Sequence, residues 1–282
     1  MKTKSKDTKI VLLGTGNPNP DPLRFGPSLA IIVKDSSYLI DFGVGITRRT
    51  YEAYSALGIK PLETSRLTKG FLTHLHSDHT LGYPDLILTP WVLTRSEPLE
   101  IYGPQGTQDM TDHILKAYHL DIKERLEGLE PANDIGYKVN IKEIIPEIFY
   151  EDEYIEVEAF PVNHGTIISY GFKFITPNKT IIISGDTAPF DDCIDYYKGC
   201  DILIHEVYSS RMFETLSPKW KRYHSNVHTS SFELADIVTK VKPDLLILYH
   251  QLFWGASEEE LIFEVKKKYD GKVISGKDLQ IF

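Results

Sequence analysis

The sequence predicts an α/β protein in which two β-sheets pack face to face and helices lie outside them. Three observations favour this class. The chain has 282 residues, 41% of them hydrophobic and 25% charged, which is typical of a soluble globular protein. Short apolar runs bounded by Gly, Pro or Asn alternate with segments of helical spacing. No Pro-, Gly- or Ser-rich linker interrupts the chain, so we expect a single domain over residues 1–282.

The first part of the chain reads mainly as strands. Apolar runs predict strands at residues 9–13, 29–34 and 37–41. The segment 14–20 holds two glycines and two prolines, so it is expected to be a loop. Helical spacing over residues 46–57 ends at Gly58, a common helix stop. These early strands are expected to form a meander.

The remaining chain alternates strands with helices. Further strands are predicted at residues 70–73, 99–102, 155–160, 170–176, 180–184, 201–205, 245–249 and 272–275. Helices are predicted at residues 105–120, 230–241 and 257–269. Helices that alternate with strands in this way are typical of two sheets whose outer faces are covered by helices.

Charge and cysteine content narrow the function classes. The net charge of −9 disfavours a protein whose whole surface grips nucleic acid, because lysine and arginine drive phosphate binding. No run is long enough to span a membrane, and none forms a signal-peptide core. The two cysteines, Cys193 and Cys200, have neither disulfide-framework nor zinc spacing. A cytoplasmic protein without a membrane partner is expected, and a homodimer is left open.

The hexapeptide His74-Leu75-His76-Ser77-Asp78-His79 carries the strongest chemical signal. A strand that ends there would aim His74 and His76 at one point, and a following helix turn would aim Asp78 and His79 at a second point. One segment would thus feed two metal ions, which in two-metal hydrolases lie about 3.5–4 Å apart. The alternative is a polar turn with three chance histidines, and chance rarely gives four ligand types this spacing.

Five further places put a ligand-type residue beside the end of an apolar run or the start of a helix. These are His164, Asp186, His205-Glu206, His228 and His250. Each alone is weak evidence, because a histidine at a strand end is more often a hydrogen-bonded structural residue. Together with the hexapeptide they supply the ligands that a dinuclear site still needs.

These pieces resemble the metallo-β-lactamase superfamily, and within it the ribonuclease Z-like and arylsulfatase-like branch. The matching segments include residues 14–16, 39–43, 73–79, 101–106, 184–187, 205–206 and 228–230, with His164 and His250, and they follow the family's order over almost the whole chain. The resemblance implies a four-layer αββα sandwich. It also implies a hydrolase of ester bonds that uses two divalent ions, with zinc first and manganese or iron as alternatives.

The resemblance further implies a role for each candidate residue. One metal would take His74, His76 and His164 as ligands, and the other would take Asp78, His79 and His250. Asp186 would bridge the two ions. A metal-bridging hydroxide would attack the substrate, and Asp78 would orient it. Glu206 and His228 would move a proton to the leaving group, although His228 could instead only organise the following helix start.

Two departures from ribonuclease Z shape the functional prediction. That enzyme has a long tRNA-binding arm after the strand that follows the third metal histidine, whereas here residues 170–176 lead through 177–179 directly into 180–184. Near the last histidine the branch has a serine and an Arg-Tyr pair that this chain lacks. The leading prediction is therefore a phosphodiesterase-type hydrolase of a small-molecule ester. The alternative is a tRNA 3′-processing endoribonuclease, and a redox relative using iron ranks below both.

An aromatic and basic stretch at residues 213–223, together with Phe253 and Trp254, has two interpretations. It would suit a substrate that combines a ring with an anionic group, or it is core packing beside a solvated basic face. We expect a loop here. No metal role is predicted for His113, His119 or His224.

Overall fold

Two β-sheets form the framework of the protein, one in each of two units into which the chain divides. The computed structural model describes residues 8–130 and 132–282. The first unit comprises Lys9–Gly14, Pro18–Ile144 and Asp278–Phe282, and the second comprises Thr8, Thr15–Asn17 and Ile145–Lys277. The single domain predicted over residues 1–282 stays a prediction, with residues 1–7 and Pro131 outside the described part.

The sheet of the first unit has six strands in chain order. They are β1 (Thr8–Gly14), β2 (Ser28–Val33), β3 (Ser36–Ile40), β4 (Lys69–Phe71), β5 (Leu99–Gly103) and β6 (Val139–Glu143). β2 and β3 are antiparallel, whereas β3 to β6 are parallel. The expected meander therefore gives way to parallel strands at β4. The chain end lies along β1, where Ile10 and Phe282 exchange backbone hydrogen bonds of 3.0 and 2.9 Å.

Five helices connect the strands within the described residues of the first unit. They are α1 (Ile46–Ser55), α2 (Ser77–Thr80), α3 (Tyr83–Val92), α4 (Thr107–Ala117) and α5 (His119–Glu127). α1 follows Gly45, whose φ of +90° favours glycine. The helix predicted over 105–120 is two helices, because Tyr118 between them leaves helical geometry, with φ −97° and ψ 12°.

The sheet of the second unit has seven strands, in the order β13-β12-β11-β10-β9-β8-β7. They are β7 (Ile148–Glu151), β8 (Glu156–Pro161), β9 (Tyr170–Ile175), β10 (Thr180–Ile183), β11 (Ile202–Tyr208), β12 (Leu245–Leu252) and β13 (Val273–Ser275). β7 to β10 are antiparallel and β10 to β13 are parallel. Every residue of β11 and β12 is buried, which explains their continuous apolar runs.

The described part of the second unit also has five helices. They are α6 (Cys193–Tyr197), α7 (Ser210–Phe213), α8 (Pro218–Val227), α9 (Ser231–Val241) and α10 (Glu258–Lys266). Ser230 with Glu233 and Ser257 with Glu260 form capping boxes that fix the starts of α9 and α10. The loop expected at 213–223 is wrong, because most of it is α8. No helix among the described residues has the length and apolar character needed to cross a membrane.

Candidate metal centre

The hexapeptide of the first unit folds as its spacing predicts. His74 and His76 follow β4, while Asp78 and His79 lie in the single turn of α2. His74 Nε2 lies 3.1 Å from His76 Nδ1, and His79 Nε2 lies 3.5 Å from Asp78 Oδ2. Zn–N bonds of roughly 2.0–2.1 Å separate two tetrahedral ligands by about 3.3 Å. The His74–His76 pair therefore has the spacing of two ligands of one ion.

A buried carboxylate, Asp41, orients this cluster. It follows β3 in left-handed geometry, with φ 56°. Asp41 Oδ1 accepts the backbone N–H of Thr73 at 2.9 Å, and Oδ2 accepts His79 Nδ1–H at 2.8 Å. The hydroxyl of Thr73 also donates to Asp41 and receives His74 Nδ1–H at 2.9 Å. Both histidines thereby direct Nε2 away from these partners, as metal-binding histidines do. The sequence contained Asp41 in its motif, but no role was predicted for it.

In the second unit, His164 and Asp186 come together from separate strand ends. His164 follows β8, and its Nδ1–H donates to the carbonyl of Val227 at 2.7 Å. Asp186 follows β10 after Gly185, whose φ is +61°. Asp186 Oδ2 lies 4.0 Å from His164 Nε2 and 3.4 Å from His250 Nε2. One carboxylate oxygen thus faces two imidazole nitrogens, which suits an oxygen that shares a metal with each of them.

A β-bulge places His250. Along β11 and β12, Glu206 pairs with Tyr249, but Val207 pairs with Gln251. His250 is therefore the extra residue, and it takes a φ of +43°, which is strained for a non-glycine residue. A bulge re-aims one side chain without ending the strand. This is how a residue inside a buried strand turns towards Asp186.

Glu206 and His228 form a second polar group in the same unit. Glu206 Oε1 accepts the backbone N–H groups of Thr187 and Thr229, at 3.0 and 3.1 Å, and His228 Nδ1 lies 3.1 Å away. Oε2 is buried and accepts no hydrogen bond from any described residue. Burial, and then the charge of Asp186, raise the pKa of the Glu206 carboxyl well above its usual range.

His205, which precedes Glu206, is a structural residue. It is buried, and Nδ1–H donates to the carbonyl of Glu206 at 2.6 Å, while the hydroxyl of Tyr197 lies 3.3 Å from Nε2. Burial lowers the pKa of His205 to about 4, so the ring is neutral at neutral pH. Of the strand-end histidines flagged in the sequence, this one belongs to the core.

Aromatic rings surround His228. The His228 ring lies 5.3 Å from that of His164 and 5.8 Å from that of His250. His224, for which no metal role was predicted, lies 5.5 Å from His228 and 4.6 Å from Trp254. Burial and the neighbouring His228 lower the pKa of His224 to about 4. His113 and His119 lie exposed on α4 and α5.

The predicted residues therefore form two ligand sets. His74, His76, Asp78 and His79 come together in the first unit. In the second unit, ligand atoms of His164, Asp186 and His228 lie within 4.8 Å of one another, as do those of Glu206, His228 and His250. Imidazole nitrogens with carboxylate oxygens are the donors that zinc prefers, and they also bind manganese and iron. The residues of both sets fit divalent metal ions.

The fold and these ligand sets define a metallohydrolase, and comparison with known proteins identifies its family. The family model of the β-lactamase superfamily domain matches residues 38–251. The chain is 27% identical over 277 residues to a ribonuclease Z of Mycolicibacterium gilvum (strain PYR-GCK), covering 96% of this chain and 94% of that protein. It is 30% identical over 247 residues to a ribonuclease Z of Mycobacterium sp. (strain KMS), covering 86% and 84%.

Solved structures share the fold over the full chain. The metallo-β-lactamase fold protein YhfI of Bacillus subtilis superposes with a TM-score of 0.75 at 17% identity, covering 98% of this chain and 99% of that one. The short form of human tRNase Z superposes with a TM-score of 0.72 at 23% identity, covering 97% and 98%. The predicted metallo-β-lactamase-type α/β fold is thereby confirmed.

The chain belongs to the β-lactamase superfamily, in its ribonuclease Z-like branch. It is a metal-dependent hydrolase that acts on ester bonds, as predicted. The comparisons back the alternative prediction, ribonuclease Z, better than the leading prediction of a hydrolase for a small-molecule ester.

Proposed function

We propose that this protein is an endoribonuclease of the ribonuclease Z type, which cleaves a phosphodiester bond during 3′ processing of tRNA. The observation that carries the proposal is the Glu206–His228 pair, fixed by two backbone amides in the cluster that also contains Asp186 and His250. Such a pair can deliver a proton to a poor leaving group, which an RNA phosphodiester has. The curated relatives named ribonuclease Z support the same assignment.

The absence of a long tRNA-binding arm between β9 and β10 does not distinguish this chain from those relatives. β9 and β10 are joined by a tight turn, in which Thr176 N–H donates to the Lys179 carbonyl at 2.9 Å. The match to the ribonuclease Z of Mycobacterium bovis (strain BCG / Pasteur 1173P2) spans 277 residues and 96% of each chain. Two chains that align almost end to end leave no room for a long arm in only one of them. The short turn between β9 and β10 is therefore compatible with a ribonuclease Z.

We further propose that the two ligand sets share two divalent ions. His74, His76 and His164 would hold one ion, and Asp78, His79 and His250 would hold the other. Asp186 would serve as a ligand of both. Zinc suits these nitrogen and oxygen donors best, and manganese or iron are the alternatives. Bound ions of this kind supply Lewis acidity and an activated water nucleophile.

The chain's own residues would perform the remaining steps. Asp78 orients the attacking water towards the phosphorus. His228 holds Nδ1–H against Glu206, so that its Nε2–H can protonate the leaving oxygen as the P–O bond breaks. The two backbone amides that bind Glu206 keep this carboxylate, and through it the imidazole, in one orientation. We place this activity in the cytoplasm, where tRNA precursors are processed.

A small-molecule phosphodiester is the second candidate substrate. The net charge of −9 favours it, since an acidic protein repels a polyanion such as RNA.

The deciding experiment compares substrates on metal-loaded protein. A 3′-extended precursor tRNA, bis(p-nitrophenyl) phosphate and a β-lactam are tested side by side, with His113→Ala as a control that alters an exposed histidine of α4. We expect precursor tRNA to be cut at one position, with a kcat/KM above that for the small diester, and we expect no β-lactam hydrolysis. Efficient hydrolysis of the small diester with no position-specific tRNA cleavage would contradict the proposal and establish the second candidate.

A further inference from the structure

Helix α8 presents two large aromatic side chains to solvent. Trp220 is 54% exposed and Tyr223 is 42% exposed. Their rings lie 5.8 Å apart and nearly perpendicular, at 82°. The inner face of the Trp220 ring stacks on His224 at 5.6 Å and 26°. The His224 ring therefore supports one face of Trp220, while Trp220 remains 54% exposed. A residue packed in the core would not be this exposed.

The same helix is basic in an acidic protein. α8 carries Lys219, Lys221 and Arg222 and has no carboxylate of its own, although the chain has a net charge of −9. Lys221 pairs with Glu214 on the preceding segment. Within residues 8–130 and 132–282, no ion pair involves Lys219 or Arg222. Two cationic side chains thus remain next to Trp220 to meet an anion.

This exposed face leads directly to the proposed proton donor. Tyr223 lies 6.3 Å from the His228 ring, and His224 bridges Trp220 to His228 through ring contacts of 5.6 and 5.5 Å. His224 Nδ1 is buried and has no hydrogen-bond partner among the described residues, so this ring acts as apolar backing. A base stacked on the open face of Trp220 would be separated from His228 by the Trp220 and His224 rings, in the same part of the protein as the proposed proton donor.

We propose that Trp220 and Tyr223 form a stacking platform for an unpaired nucleobase of single-stranded RNA near the phosphodiester that is cut. Lys219 and Arg222 bind the neighbouring phosphates. Aromatic rings beside cationic side chains are the usual means of holding single strands without reading their sequence. The inference rests on the proposed function and identifies the part of the RNA that this site binds. It also accounts for RNA binding by an acidic chain, since α8 carries three cationic side chains and no carboxylate.

The test measures binding separately from cleavage. A fluorescein-labelled, unstructured RNA decamer is mixed with metal-loaded protein in a stopped-flow instrument, and anisotropy is read before turnover. Stacking contributes enough per base for its loss to weaken binding about 5- to 150-fold. We expect a loss in that range for Trp220→Ala. Trp220→Phe should retain most of the affinity, because a phenyl ring still stacks.

Two controls make the result specific. Phe263→Ala removes an even more exposed ring, 64% accessible, from α10 and should not change binding. A decamer backbone that lacks bases should bind the wild type as weakly as the full decamer binds Trp220→Ala. Unchanged affinity in Trp220→Ala, equal binding of the baseless backbone, or equal binding of a single mononucleotide would each overturn the proposal. Trp220-dependent binding without tRNA cleavage would instead contradict only the proposed function.

Discussion

The two ligand sets of this protein are built in opposite ways. In the first unit, four candidate ligands lie within six consecutive residues, and one side chain, Asp41, orients two of them, His79 directly and His74 through Thr73. In the second unit, the ligands come from separate strand ends, and backbone groups do most of the positioning. The carbonyl of Val227 orients His164, two amides fix Glu206, and a β-bulge turns His250.

This difference determines which substitutions disrupt each ligand set. A set oriented by a side chain is lost when that side chain is replaced. A set oriented by backbone groups survives most substitutions around it and fails only when a functional side chain itself changes.

The largest effect is expected at His228 in the second unit. General acid–base groups contribute about 10²–10⁴-fold, so His228→Ala should lower kcat by that factor. Metal content should stay intact, since His228 is proposed as a proton donor. The loss should be greatest with alkoxide leaving groups, which need a proton, and should nearly vanish with nitrophenolate. Parallel kinetics and elemental analysis check both points.

Glu206→Gln provides the companion variant. It should show a smaller version of the same leaving-group pattern, because Glu206 acts through the imidazole. An equal loss for both leaving groups would make His228 structural, and loss of metal from His228→Ala would make it a ligand.

The second prediction concerns His205, the core histidine of the same unit. Its folded pKa is about 4, against an ordinary value near 6.5. Between pH 6.5 and about pH 4, the His205 ring is therefore protonated in the unfolded chain but neutral in the folded chain. The stability linked to His205 is complete above pH 6.5 and falls as the pH drops towards 4, by about 3 kcal/mol in all.

His205→Gln isolates this contribution. Denaturant unfolding measured between pH 7 and pH 4.5 should show a shallower loss of stability in the variant than in the wild type. Only the pH dependence counts, because the substitution in a buried site also lowers stability at every pH. Identical slopes would show that His205 is not held neutral by burial.

The third prediction tests whether the Asp41 side chain orients the ligand set of the first unit. Asp41→Asn keeps the shape but weakens the charge-assisted bond to His79 Nδ1–H. Loss of such a partner typically costs about 10- to 100-fold in metal affinity or activity. We expect that loss in a competition assay with a chelator. Asp109→Asn, an exposed aspartate on α4, should have no effect, and an equal effect in both variants would refute the role of Asp41.

The contrast also explains what the sequence could predict. The hexapeptide was readable from its own spacing, because all its ligands are local. His164, Asp186 and His250 were assigned as metal ligands only through family resemblance. For His250 in particular, no feature of the β12 sequence predicts a bulge. The role of Asp41 was missed because its partner, His79, lies 38 residues away.

Missed helices have similar physical causes. α3 contains Pro84 and Pro90, so its helical character was hidden by residues that usually interrupt helices. α8 was expected to be a loop because it is polar and basic. Ser217 followed by Pro218 is, however, a common helix start, and that signal was available. Recognising it would have placed Trp220 and Tyr223 on one helix from the sequence alone.

The metal content of Asp186→Ala shows whether the two ligand sets form one shared centre. If the two ligand sets share one centre, protein prepared without chelator should contain about two ions per chain. Removing the proposed bridge from the second unit should then loosen both ions, because each would lose one of its few ligands. Elemental analysis of wild type and variant gives the answer. One tightly held ion, unchanged in Asp186→Ala, would contradict the shared centre.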